Sequence, residues 1–276
     1  MKKFLSLVFI FCAFHSAMSQ NIYTSAKNFR GHLQGIAVDD SAIYGAFAYE
    51  VAKFDYNGKL LKRVPAPFHS GDMTADGEKF YCSVSLHNSE LIKKYGARNC
   101  IFVYDKELTL LEIRPLKSLY GIDGIAYIKG KFYIGLNKHG NALRMKNRIA
   151  ILDRNFKLLK IATVTIGRNT KYGAQTLNEF NGKLLAGFYG GGKSSSIFDL
   201  DALEKSDTVV TPIGTLKANT TVGFSELPPA VAEKGTFIVV RNTRCKRQGF
   251  GAKFLVQKLD KDGNLIPASL KQSQKQ

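Results

Sequence analysis

Four histidines and a few carboxylates carry most of the chemistry this sequence could perform. His32 is followed by Gln34 and His69 by Asp72, while Asp123, Gln175 and Glu226 occupy comparable places further along. Two imidazoles near carboxylates can act as general acid and base, or ligate a divalent metal, because neutral imidazole keeps a lone pair near neutral pH. His32, His69, Asp72, Asp123 and Glu226 are therefore catalytic candidates. The metal candidates are His32, His69 and Asp72, and a divalent metal is the one cofactor these residue types admit. A second set could bind substrate: Gln34, His139, Arg144, Gln175, Tyr189, Lys193, Arg241 and Arg244. Its arginines can grip a carboxylate or sulfate through a planar fork of donors.

Several familiar chemistries have no support. No Gly-x-Ser-x-Gly nucleophile elbow occurs. Gly190-Gly191-Gly192-Lys193 lacks the spacing of a phosphate loop and reads as a flexible rim. Without a Cys-x-x-Cys pair, a structural zinc site is not expected. Cys12 lies in the leader described below, so Cys82, Cys100 and Cys245 permit at most one disulfide. Cys82, in an apolar strand pattern, reads as a buried thiol. Asn219-Thr220-Thr221 is a glycosylation sequon, meaningful only in a eukaryotic secretory pathway.

The elements that must position these residues repeat along the chain. One unit recurs: a small-residue start, a short strand, a tight turn, an aromatic-rich strand, a loop, a strand closing on Asp, a turn and a last strand. The third copy is the cleanest, with Gly124-Ile125-Ala126, Lys131-Phe132-Tyr133-Ile134, Ile149-Ala150-Ile151-Leu152-Asp153 and Lys157-Leu158-Leu159. The closing aspartates are Asp55, Asp105, Asp153, Asp199 and Asp260, about 50 residues apart with a wider last interval, as four-stranded propeller blades require. Asn57-Gly58, Lys129-Gly130, Asn181-Gly182 and Asp262-Gly263 supply hairpin turns. Only 199–205 suggests a turn of helix. The expected fold is all-β, a five-bladed β-propeller of four-stranded antiparallel blades, with 21–29 as a strand that closes the last blade.

Propeller topology then sorts the candidates. The start of each innermost strand and the loop between second and third strands lie on the same face. His32, Gln34, His69, Asp72, Asp123, Gln175 and Glu226 fall at the inner strands. Loops 86–99, 137–147, 189–195 and 241–251 are long and carry His87, Lys93, Lys94, Arg98, Lys138, His139, Arg144, Tyr189, Lys193, Arg241, Arg244, Lys246 and Arg247. Long loops on one face of a rigid scaffold are where binding groups gather.

Composition places the protein. Met1-Lys2-Lys3, an apolar run to Phe14 and Ala17-Met18-Ser19 read as a secretory signal over 1–19, too short to span a bilayer. A single propeller domain over 20–276 is then expected, secreted or periplasmic, with no transmembrane segment and monomeric. The formal charge is +18. An exported protein rarely meets nucleic acid, so the expected partner is an acidic saccharide or another anionic ligand.

The units resemble the NHL-repeat and gluconolactonase-like propellers through Gly-Ile-Ala, a turn, an Ile/Phe-Tyr strand, an apolar strand closing on Asp and a glycine turn. The resemblance covers 31–270. It implies a divalent metal held in the channel by acidic and amide groups.

Three functions fit these residues. The first is a carbohydrate-active enzyme on uronate- or sulfate-bearing oligosaccharides. It would act as a lyase or dehydratase through histidine, or as a glycosidase through two carboxylates. The second is a non-catalytic binder of anionic glycan or of an envelope partner. The third is a metal-dependent, lactonase-like hydrolase.

Overall fold

The computed structural model describes residues 21–67, 69–136, 146–167, 170, 172–190, 192–245 and 249–271. The expected signal segment 1–19 lies outside them, as do Lys138, His139, Arg144, Lys246 and Arg247. Strand β1 (Asn21–Tyr23) precedes the first blade, which comprises β2 (Leu33–Val38), β3 (Ile43–Phe47), β4 (Glu50–Phe54) and β5 (Leu60–Pro65). The second blade has β6 (Ser70–Ala75), β7 (Phe80–Ser85), helix α1 (Ser89–Tyr95), β8 (Asn99–Tyr104) and β9 (Leu110–Pro115). The third has β10 (Ile122–Ile128), β11 (Lys131–Leu136), β12 (Lys146–Asp153) and β13 (Leu158–Thr165). In the fourth come β14 (Ala174–Phe180), β15 (Lys183–Phe188), β16 (Ser195–Phe198), α2 (Leu200–Lys205) and β17 (Gly214–Leu216). The fifth contains β18 (Phe224–Glu226), β19 (Thr236–Cys245), β20 (Gly249–Leu259) and β21 (Leu265–Pro267).

Each of the first four blades is an antiparallel meander, and the fifth is ordered β18-β19-β20-β1, with β21 also on β20. The outer edge of β20 is thus shared by the two ends of the chain. β1 pairs with 253–255 and β21 with 257–259. Together they close the ring and leave less of that edge unpaired.

Five hydrophobic clusters fill the five spaces between blades. Flat aromatics suit such sheet-to-sheet contacts, and Phe29 stacks on Phe47 at 3.9 Å while Tyr44 stacks on Phe80 at 3.8 Å. Buried tyrosines keep their hydroxyls satisfied at the hairpin turns: Tyr44 donates to Asp39 at 2.9 Å and Tyr81 to Asp76 at 2.6 Å.

The repeated aspartates are turn-makers. Oδ1 of Asp55 accepts the N–H groups of Asn57 and Lys59, and Asp105, Asp153 and Asp260 accept the equivalent pairs. A left-handed residue completes each turn: Gly58, Leu108, Phe156 or Gly263. Asp199 instead caps α2, accepting from Ala202 N at 3.0 Å. The strand-ending Asp therefore replaces a backbone acceptor that the tight turn lacks.

Candidate functional site

Inner strands run from an upper face, where β2, β6, β10 and β14 begin, to a lower face, where they end. Near the start of each, the pairing register slips: between Leu33 and Gly35, Ser70 and Met73, Ile122 and Ile125, and Ala174 and Thr176. The residues released from the ladder are Gln34, Gly71-Asp72, Asp123-Gly124 and Gln175. A bulge frees a side chain from strict alternation, and here four bulges deliver four candidates to the channel.

At the upper mouth, the buried Gln34 joins two imidazoles. Its Nε2 donates to His69 Nε2 at 2.7 Å, which leaves the His69 proton on Nδ1, and Gln34 also hydrogen-bonds His32. Burial, then the neighbouring His32 and His87, pulls the His69 pKa down to about 4. Burial also lowers His32, against the raising effect of Gln34. Two neutral rings therefore stand linked at neutral pH, with exposed His87 close enough to influence one of them.

The fifth blade supplies a wall. Within 241–251, expected as a loop, residues 241–245 and 249–251 instead extend β19 and β20, so that Arg241 pairs with Lys253 and Arg244 with Phe250. Asn242 staples this arm to the first blade, its Oδ1 accepting Leu33 N at 2.8 Å and its Nδ2 donating to Leu33 O at 3.1 Å. Phe250 then lies between two candidates: its ring centre is 5.9 Å from that of His32 and 5.9 Å from the Arg244 guanidinium. Arg241 donates to Asn219 O at 2.6 Å. Neither Asn242 nor Phe250 carries a sequence signal beyond lying in a polar stretch beside the arginines.

The carboxylates do not join the imidazoles. Asp72 is fully buried and reaches across the axis, where Oδ2 accepts Ile125 N at 3.1 Å in the third blade and Leu177 N at 2.8 Å in the fourth. A Cβ on Gly35 of the first blade would stand 2.0 Å from its Oδ1. Asp72 therefore stoppers the channel beneath the mouth, and burial pushes its carboxyl well above the usual carboxylate range. It is a tie between blades, placed too deep to meet a substrate at the mouth. Asp123 is also buried, against Gly71, where a Cβ would lie 2.7 Å from its Oδ1.

Glu226 sits elsewhere altogether. It ends β18 rather than preceding it, so it opens on the lower face, where Oε1 accepts Gly235 N at 3.1 Å. With Glu179 it borders a cavity of about 350 Å³ between the lower ends of the inner strands. On the upper side Gln175 is half-buried, Lys193 is exposed, and the exposed Tyr189 meets Tyr172 edge-on at 4.9 Å. Among the described residues no three His, Cys, Asp or Glu side chains group as metal ligands, His32, His69 and Asp72 included. Cys82 and Cys100 are buried free thiols. No helix among the described residues is long and apolar enough to cross a membrane.

No family model matches this sequence, and no curated protein does. Solved structures share the fold. A glutaminyl cyclase from Myxococcus xanthus superposes with a TM-score of 0.59 at 11% identity, covering 90% of this chain and 95% of that one. The RS223 β-xylosidase gives 0.55 at 12% identity, with coverage of 91% and 98%. A GH43_1 enzyme from Xanthomonas citri, solved with xylose, gives 0.54 at 12% identity, with coverage of 92% and 93%. Identity this low shows a shared propeller fold; the specific NHL or gluconolactonase-like kinship has no such support.

Proposed function

We propose that the upper mouth binds an acidic saccharide and that the protein cleaves it as a histidine-based lyase. The observation that carries this reading is the His32–Gln34–His69 chain of neutral imidazoles beside the Phe250–Arg244 wall. Phe250 offers an apolar face for a sugar ring, and Arg244 offers a fork for its carboxylate. The proton on the carbon next to that carboxylate would pass to the free nitrogen of His32. A carbon–carbon double bond forms as the carbon–oxygen bond β to the carboxylate breaks, and the departing oxygen takes a proton from solvent. Gln34 orients His32 as a positioning residue. Glycosidase chemistry gains less from the site, because it needs two carboxylates flanking one bond. Asp72 is sealed away and Glu226 opens on the other face.

One observation favours a second reading, non-catalytic glycan binding: among the described residues no carboxylate is hydrogen-bonded to His32, which would hold its imidazole once protonated. Incubation with uronate-containing oligosaccharides separates the two, read by the ultraviolet absorbance of unsaturated product alongside binding. The lyase reading expects product that falls at least about a hundredfold in His32→Ala with binding retained. Binding without product, weakened by Arg244→Ala and by salt, leaves the binder.

A further inference from the structure

The cavity on the lower face has a chemistry opposite to that of the upper mouth. Its volume is about 350 Å³, and Glu179 and Glu226 are the charged side chains among those that line it. No lysine or arginine is among the described residues that line it. Glu226 spends Oε1 on Gly235 N, and its other oxygen carries no such bond among the described residues. In a chain of charge +18, an acidic cavity without a lining cation is a local inversion of the overall field.

A second observation is independent of charge. Asn178 lines the cavity and is only 8% exposed, yet its Nδ2 has no hydrogen-bond partner among the described residues. An unpaired buried amide is unfavourable, and an acceptor atom arriving in the cavity would relieve it. Thr74 and Ser225 add hydroxyls to the lining, the first accepting Tyr127 N at 3.1 Å.

We infer that the lower cavity is a second binding site, for a protonated amine that also carries hydroxyl groups, an amino sugar in chemical class. The carboxylates of Glu179 and Glu226 meet the ammonium, and a sugar hydroxyl oxygen accepts from Asn178. The site uses none of the upper-mouth residues, so it stands or falls apart from the lyase reading.

Titration calorimetry with glucosamine, and with glucose as its neutral counterpart, tests this in mildly acidic low-salt buffer that keeps the amine charged. The expected result is saturable binding of glucosamine several-fold tighter than glucose, one exposed ionic contact being worth up to about fivefold. Glu179→Gln and Glu226→Gln should each weaken it several-fold, and His32→Ala should leave it unchanged. Thermal unfolding of each variant controls for misfolding, and Glu179→Gln, on an exposed position, serves if Glu226→Gln is unstable. Equal affinity for glucose and glucosamine, no measurable binding of glucosamine, or insensitivity to both glutamine variants would overturn the proposal.

Discussion

The two ends of the channel are built from the same inner strands and yet present opposite chemistry. At the upper end, bulges release amide and acidic side chains, and neighbouring loops and the fifth-blade arm add imidazoles and arginines. At the lower end the strands run out in regular pairing, and carboxylates collect around the opening and in the turns. Between them stands Asp72, which belongs to neither. The comparison shows that a propeller separates function by strand polarity. Where an inner strand begins, register can slip and re-aim a side chain; where it ends, tight hairpins demand Gly, Asn and Asp for backbone reasons. Acidic residues therefore gather below because turns need acceptors, which leaves the upper rim comparatively cationic.

The sharpest way to break this picture is at its divider. Removing the Asp72 side chain in Asp72→Ala leaves Ile125 N and Leu177 N without an acceptor at the centre of four packed blades. Two buried orphan donors predict a loss of about 4 kcal/mol. Asp72→Asn retains an acceptor oxygen and should cost about 1 kcal/mol. Because burial raises the Asp72 pKa above its unfolded value, its contribution is complete below the unfolded pKa and is lost as pH rises through the folded one. The asparagine variant should lack that decline. Denaturant unfolding of both variants across pH checks this. Equal small losses for Ala and Asn would mean that Asp72 does not hold the blades together.

Much of this architecture was legible in the residues. The aspartates mark blades because each tight exit turn needs the same side-chain acceptor, and Asn181-Gly182 and Lys129-Gly130 do adopt the two successive positive φ angles of a type I′ hairpin. The upper-mouth candidates were legible because they directly precede strands with a strong apolar pattern. Glu226 was not, since β18 has only three residues and begins two before it. Arg241 and Arg244 read as loop because Arg241-Asn242-Thr243-Arg244 lacks an apolar face, although backbone pairing needs none. The helix α1 was invisible for a similar reason: seven residues, capped by Asn88 and ended by a left-handed Gly96, are too few to show a helical period.

A smaller effect separates the two ends by pH. His69 has a folded pKa of about 4 against 6.5 when unfolded, so between those values the unfolded chain binds more protons. Stability should therefore fall as pH drops from 6.5 towards 4, by about 2 kcal/mol once the solvent that still reaches the ring is allowed for. Among the described residues no histidine lies at the lower mouth to add to that window. His69→Phe should flatten this part of the stability profile, and NMR of the imidazole protons should place the His69 midpoint well below that of an exposed histidine. A midpoint near 6.5 would dissolve the linked neutral pair on which the upper site rests.

The smallest effect belongs to the turns of the lower face. Asp55 accepts Asn57 N at 2.9 Å and Lys59 N at 2.8 Å, bonds that solvent could partly replace because the turn lies at the surface. Asp55→Ala should cost about 1 kcal/mol, in line with loss of a side-chain cap, and Asp55→Asn close to nothing, because the amide oxygen can accept the same pair. Urea midpoints with unchanged slope would report this. Sugar or amine binding at either mouth should not change, since the turn touches neither. If Asp55→Ala instead altered ligand binding at the lower cavity, the lower acidic residues would be functional as a set, and their explanation as local turn chemistry would fail.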